Sequence, residues 1–186
     1  METPTRTALV PVAHGSEEIE AVCIIDVLRR AGAAVTVASV EAELTVTCSR
    51  GVRLLADVPI AACSGQVFDL IALPGGMPGA ERLRDCAPLI ELLRAQRAAG
   101  RLYGAICAAP AVALAPHGLL GRRATAHPNF MDRLAPAQAL GQRVVVDGGI
   151  VTSRGPATAI EFALTLVELL FGADKRHAVA APLVID

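Results

Sequence analysis

Short apolar runs alternate with stretches of helical periodicity along the whole chain. "TALVPV" (Thr7–Val12) is a continuous apolar run and predicts a first strand. Ser16 then offers an N-cap, with Glu17 and Glu18 in the first turn, where the helix dipole favours negative charge. That helix is predicted to run to about Ala31 and to stop at Gly32. The β-branched "AVTVASV" (34–40) predicts a second strand, and "TCSRGVRLLAD" one or two short strands around a turn at Gly51. "VFDLIAL" (67–73) reads as a buried strand that ends abruptly in "PGG". A helix over 87–99 has Pro88 in its first turn and Gly100 beyond its end. "RLYGAI" is a further strand, a helix opens near Pro110 and closes around Gly118, and "RATAH" is short and extended. "RVVVDGGIVTS" predicts a hairpin turning at Asp147, Gly148 and Gly149. Over 158–171, Ile160, Ala163, Leu164, Val167, Leu170 and Phe171 recur at helical spacing, and Phe162, Leu166 and Leu169 make a second apolar face. A helix apolar on two sides is expected to be covered on both.

Apolar strands separated by amphipathic helices predict an α/β fold: a mainly parallel sheet with helices on both faces. No repeat or linker interrupts the pattern, so 1–186 reads as one domain. In such sheets chemistry gathers in loops at the C-terminal ends of strands. With 186 residues, 53% of them hydrophobic, the chain can bury a core without disulfides or a metal. A net charge of −1 and 3% aromatics argue against nucleic acid or an anionic membrane as the main partner. There is no basic-then-apolar leader and no long unbroken apolar run, so the expected setting is cytoplasmic. Five cysteines without a CxxC pair form neither a disulfide framework nor a zinc site, and read as reduced thiols.

Among these, Cys107 in "GAICAAPA" lies between a strand and a proline that tolerates only the first turn of a helix. It is therefore placed on a tight strand-to-helix turn, where exposed helix amides favour thiolate over thiol. The local sequence leaves two readings open: a small buried hydrophobe, or a nucleophile. Cys23, Cys48, Cys63 and Cys86 read as core or incidental thiols. "LPGGMPG" closes a buried strand, so Gly75 and Gly76 are either a plain turn or amides turned toward a developing negative charge. Glu20 falls on the inward stripe of the first helix with Ile24, Val27, Leu28 and Ala31, whereas Glu18 lines up with the outward Asp26 and Arg29. A buried Glu20 has a raised pKa and suits proton transfer; a solvated one only stabilises the helix dipole. His127, before Pro128, can act as a base or an orienting partner; His14, His117 and His177 read as solvated or structural. No His or carboxylate cluster points to a metal, and "PGGMPG" lacks the Lys-Ser/Thr of a phosphate loop.

Taken in order, "GSEEIEA", "DVLRRAG", "TCSRGV", "LPGG", "AICAAPA" and "TSRGPATAIEFAL" resemble the DJ-one/ThiJ/PfpI superfamily. The likeness is to the branch of the Parkinsonism-associated protein deglycase and its bacterial relatives, and it runs from Leu9 to about Val184. It implies a flavodoxin-like three-layer sandwich with the cysteine on a nucleophile elbow, and a homodimer. Carried over by motif, Cys107 is the nucleophile, Glu20 hydrogen-bonds it, and His127 lies nearby. Gly75, Gly76 and Ala108 supply the oxyanion and substrate-binding amides. Asp26, Arg30 and Arg50 match residues placed at the interface side. Peptidase-like members carry a histidine directly after the nucleophile, where this chain has Ala108, and the late His-x-Glu of glutamine amidotransferases is absent.

The resemblance implies a cofactor-independent deglycase or glyoxalase III-like enzyme, a hydrolase or lyase. Its substrates would be methylglyoxal, glyoxal or their protein adducts, and its products lactate or glycolate. The alternative is an oxidation-sensing stress-response protein, or a redox-regulated chaperone, using the same cysteine.

Overall fold

The computed structural model describes residues 5–135 and 140–185. Strand β1 (Thr7–Val12) is buried at every residue after Thr7. It forms parallel ladders with β2 (Ala34–Ser39) on one side and β6 (Leu70–Leu73) on the other. With β5 (Val58–Pro59), β7 (Leu102–Ile106), β8 (Val144–Asp147) and β9 (Ile150–Ser153), the sheet runs β5-β2-β1-β6-β7-β9-β8. Its ladders are parallel except for the β8–β9 hairpin, and β3 (Thr45–Thr47) pairs apart from it, antiparallel to β4 (Arg53–Leu55).

Helix α1 (Glu18–Arg30) carries the chain from β1 to β2, one way across the sheet. Helices α2 (Gly79–Asp85) and α3 (Ala87–Ala98) carry it from β6 to β7, the opposite way. Right-handed crossovers therefore set α1 on one face and α2 and α3 on the other. After β9, α4 (Ala159–Phe171) packs on α1, and α5 (Ala173–Ala180) packs on α4. The result is a flavodoxin-like three-layer sandwich. Because the chain leaves β1 and β6 in opposite directions, a crevice opens beyond their C-terminal ends, where ligands bind in this architecture.

The inward stripe of α1 is buried as the periodicity predicts, Glu20 included. Its cap differs from the expectation. The Glu17 carboxylate, not Ser16, accepts the Glu20 N–H at 2.8 Å. Ser16 is fully buried and its Oγ accepts the Ala13 N–H at 3.0 Å, because a buried loop amide needs that partner more than the helix end does. The strand expected from Val67 begins at Leu70, since the Asp69 carboxylate closes its entrance by accepting from the Thr7 amide at 2.8 Å and Arg6 at 3.0 Å. Beyond Cys107 the helix is short and tightens from a π turn (Pro110–Leu114) to a 3-10 turn (Ala115–His117). In α4 the second face is buried at Phe162 and Leu166 and exposed at Leu169, and Ile160 on the first face is exposed, so each face is covered only in part. Helices α2 and α5 have no counterpart in the predicted pattern.

Candidate active site

Between β7 and the helical turn at Pro110, Cys107 adopts φ 64°, in the left-handed region. A side chain with a Cβ is strained there by about 1–2 kcal/mol. The backbone is fastened on both sides of the strain: the Cys107 N–H donates to the Ser153 carbonyl at 3.0 Å, and the Cys107 carbonyl accepts the His127 N–H at 2.8 Å. This is the elbow anticipated from "GAICAAPA".

The glycine loop closes over it. A Cβ on Gly75 would lie 2.6 Å from the Cys107 Cβ and 2.7 Å from the Ile106 carbonyl, so no other residue fits. Gly76 follows at φ 88°. The Gly75 carbonyl accepts the Glu17 N–H at 2.9 Å, docking the loop on the N-terminus of α1. One turn further, Glu20 is fully buried and its Oε2 accepts the Gly75 N–H at 2.8 Å. Its Oε1 is buried without a hydrogen-bond partner, and the Cys107 thiol is the neighbouring group that acts on the carboxyl. The Gly75 amide is thus spent on Glu20 rather than on the sulfur side. The amides that favour a negative charge on the Cys107 sulfur are those of Gly76 and Ala108.

Burial raises the Glu20 carboxyl to about 7, against the Gly75 hydrogen bond that favours its charge. The Cys107 thiol is also pushed up, first by burial and then by the negative charge of Glu20, and the two amide hydrogen bonds offset only part of this. The expectation of a thiolate stabilised by helix amides is therefore reversed in direction. Desolvation beside a carboxylate outweighs those amides, and thiol and carboxyl form a pair that shares protons.

Cys107, Gly76, Ala108 and His127 line a cleft of about 270 Å³, with Glu17 and Arg50 among its other walls. His127 is half-buried and its Nδ1 accepts the Asn129 N–H at 3.3 Å, so the neutral ring carries its proton on Nε2. Asp26 and Arg30 form an exposed ion pair with each other at 2.5 Å on α1, away from the cleft. His14 is likewise outside it, with Nδ1 accepting the Thr47 N–H at 2.9 Å.

Glu18 does not face outward. It is buried, accepting from Ser49 Oγ and the Arg50 amide at 2.8 Å each, and this fixes the loop that carries Arg50. Burial pushes its carboxyl up, but these bonds and its own amide bring it below the usual carboxylate range. A helical wheel misplaces it because a first-turn side chain reaches past the helix end. Among the described residues no group of His, Cys, Asp or Glu is arranged to hold a metal, and no helix is long and apolar enough to cross a membrane.

A cysteine on a strained elbow, over a buried glutamate and beneath a glycine loop, defines the candidate site of this flavodoxin-like fold. The chain belongs to the DJ-1/PfpI family, whose model matches residues 6–169. It is 51% identical over 187 residues to protein DJ-1 homolog B of Arabidopsis thaliana, covering all of this chain and 43% of that protein. The chain spans about half the length of the plant relatives it matches. It is 40% identical to the glutathione-independent glyoxalase DJR-1.2 of Caenorhabditis elegans, over 91% of each chain. The structure of oxidized DJ-1 from Toxoplasma gondii superposes with a TM-score of 0.95 at 54% identity, covering 97% of this chain and 98% of that one.

Proposed function

We propose that this chain is a cysteine-dependent, cofactor-independent enzyme of the glyoxalase III and deglycase type. It converts methylglyoxal, or its adducts on amines and thiols, to lactate, and glyoxal to glycolate. One observation carries the reading: the Cys107 thiol meets a fully buried Glu20 carboxyl at the floor of a cleft small enough for such a substrate. The nematode relative named a glutathione-independent glyoxalase supports it.

As the Cys107 sulfur bonds to the aldehyde carbon, its proton passes to Glu20. The amides of Gly76 and Ala108, already beside the sulfur, stabilise the oxyanion until Glu20 returns the proton to it, giving a hemithioacetal. Glu20 then takes the hydrogen of that carbon as a proton. The electron pair moves toward the neighbouring carbonyl, whose oxygen is protonated by His127 Nε2–H. Glu20 delivers its proton to the second carbon, and His127 recovers one from the first oxygen. A lactoyl thioester remains. Water hydrolyses it to lactate and restores the thiol, so the net change is addition of one water, with no external electron carrier.

The expected setting is a cytoplasmic homodimer. The exposed Ile19, Val22, Val52 and Leu55 on α1 and around β4 support a dimer through this face, and the exposed Asp26–Arg30 pair lies on the same helix. The second reading is a redox-sensing role of the same cysteine, to which the structure of the Toxoplasma relative in an oxidized form lends support. Purified protein should form lactate from methylglyoxal, and Cys107→Ser should abolish it. Absence of lactate, with cellular peroxide protection lost in Cys107→Ser, overturns the enzyme reading in favour of the sensor.

A further inference from the structure

We propose that the cleft selects α-oxoaldehydes carrying a carboxylate beyond the reacting carbons, with Arg50 and Arg154 as its recognition groups. This rests on the glyoxalase reading above and deepens it to a substrate class. Arg50 lines the Cys107 cleft, and among the described residues its guanidinium makes a single hydrogen bond, Nη1 to the Ser49 carbonyl at 3.1 Å. A second depression of about 260 Å³ continues from the first, sharing His127 and Pro156 with it, and is lined by Arg154. Arg154 is half-buried and, among the described residues, donates only to the Gly141 carbonyl, at 3.3 Å. Of the three arginines that line the two depressions, Arg50 and Arg154 have no carboxylate within ion-pair distance among the described residues, whereas Arg143 does.

Arg143 makes the contrast local. It lines the same second depression, but Glu161 at 2.7 Å and the Ala157 carbonyl at 3.0 Å occupy it. A guanidinium has five donors in a planar fork that matches a carboxylate; within the described residues of one chain Arg154, and Arg50 at the expected interface side, leave most of theirs open to a ligand. Glu17 also lines the cleft, with Oε2 accepting the Glu20 amide. Glu17 is the one carboxylate among the residues that line the two depressions, so Arg50 and Arg154 supply the groups there that suit an anion. Methylglyoxal, with a methyl group beyond its carbonyls, leaves both arginines unused.

The test compares dioxopentanoate, an α-oxoaldehyde with a terminal carboxylate, with its neutral methyl ester; each takes up one water to give the corresponding α-hydroxy acid. In the wild-type protein kcat/KM should favour the carboxylate about ten-fold, the scale of one partly exposed charge-assisted contact. Added salt should shrink the ratio. Arg154→Gln and Arg50→Gln should each move the ratio toward one, and Arg154→Lys should restore part of it. A wild-type ratio near one, or substitutions that slow both substrates equally, overturns the selection. Failure to turn over methylglyoxal itself would defeat the glyoxalase reading instead, so the two failures are distinguishable.

Discussion

Replacing Glu20 with glutamine should stabilise the protein at neutral and alkaline pH, although it removes a residue of the site. The folded chain holds this carboxyl at about 7, against 4.5 for an ordinary glutamate, because it is fully buried. Between those values the folded state binds a proton that the unfolded state has released. Wild-type stability therefore falls as pH rises through this window. Above it, ionising the buried group costs the folded state about 3 kcal/mol. Glutamine keeps an oxygen to accept the Gly75 amide and has no charge to desolvate. Urea unfolding of wild type and Glu20→Gln should give a variant more stable by about 3 kcal/mol near pH 8, with the gap closing toward pH 4.5. A variant equally or less stable at pH 8, or a gap that does not change with pH, would refute the claim that burial holds this proton.

Two other substitutions probe the walls of the site. Gly75→Ala forces a Cβ to within 2.6 Å of the Cys107 Cβ, and overpacking of this kind costs about 1–3 kcal/mol. Denaturant unfolding should show that loss, together with slowed lactate formation; a silent substitution would mean the loop is not seated on the elbow. Glu18→Ala strands the Ser49 hydroxyl and the Arg50 amide and should cost about 2 kcal/mol. Because the Glu18 carboxyl sits below its ordinary range, its contribution is present above the usual carboxylate pKa and lost as pH falls, so thermal unfolding should show the deficit at pH 7 shrinking in acid.

What the sequence reveals of this molecule follows from how local each interaction is. The first strand and the buried stripe of α1 are written in the periodicity of residues 7–31, and Glu20 could be placed inward for that reason alone. The elbow was legible because strand, cysteine and proline are adjacent. Glu18 was not, since its partners lie in a loop some thirty residues on and no helical wheel contains them. A glycine motif announces free amides but not which acceptor each one meets, so the split between Gly75 on Glu20 and Gly76 on the sulfur appears only in three dimensions. The direction of the thiol pKa is hidden from the sequence for a related reason. Helix amides beside Cys107 can be inferred from sequence, whereas the balance between them and a desolvated carboxylate depends on depth of burial.

The account turns on Cys107 and Glu20 working as one proton-sharing pair, and the pH dependence of kcat/KM for methylglyoxal tests this most directly. Below the Glu20 value of about 7 both groups are protonated and the thiol lacks a base; above it one proton is shared and attack can proceed. Lactate formation should therefore rise with pH through a single apparent pKa near 7, and Glu20→Gln should lose most of the rate together with that limb. A rate that stays flat through pH 7, or a Glu20→Gln protein with wild-type rate and profile, would contradict the account.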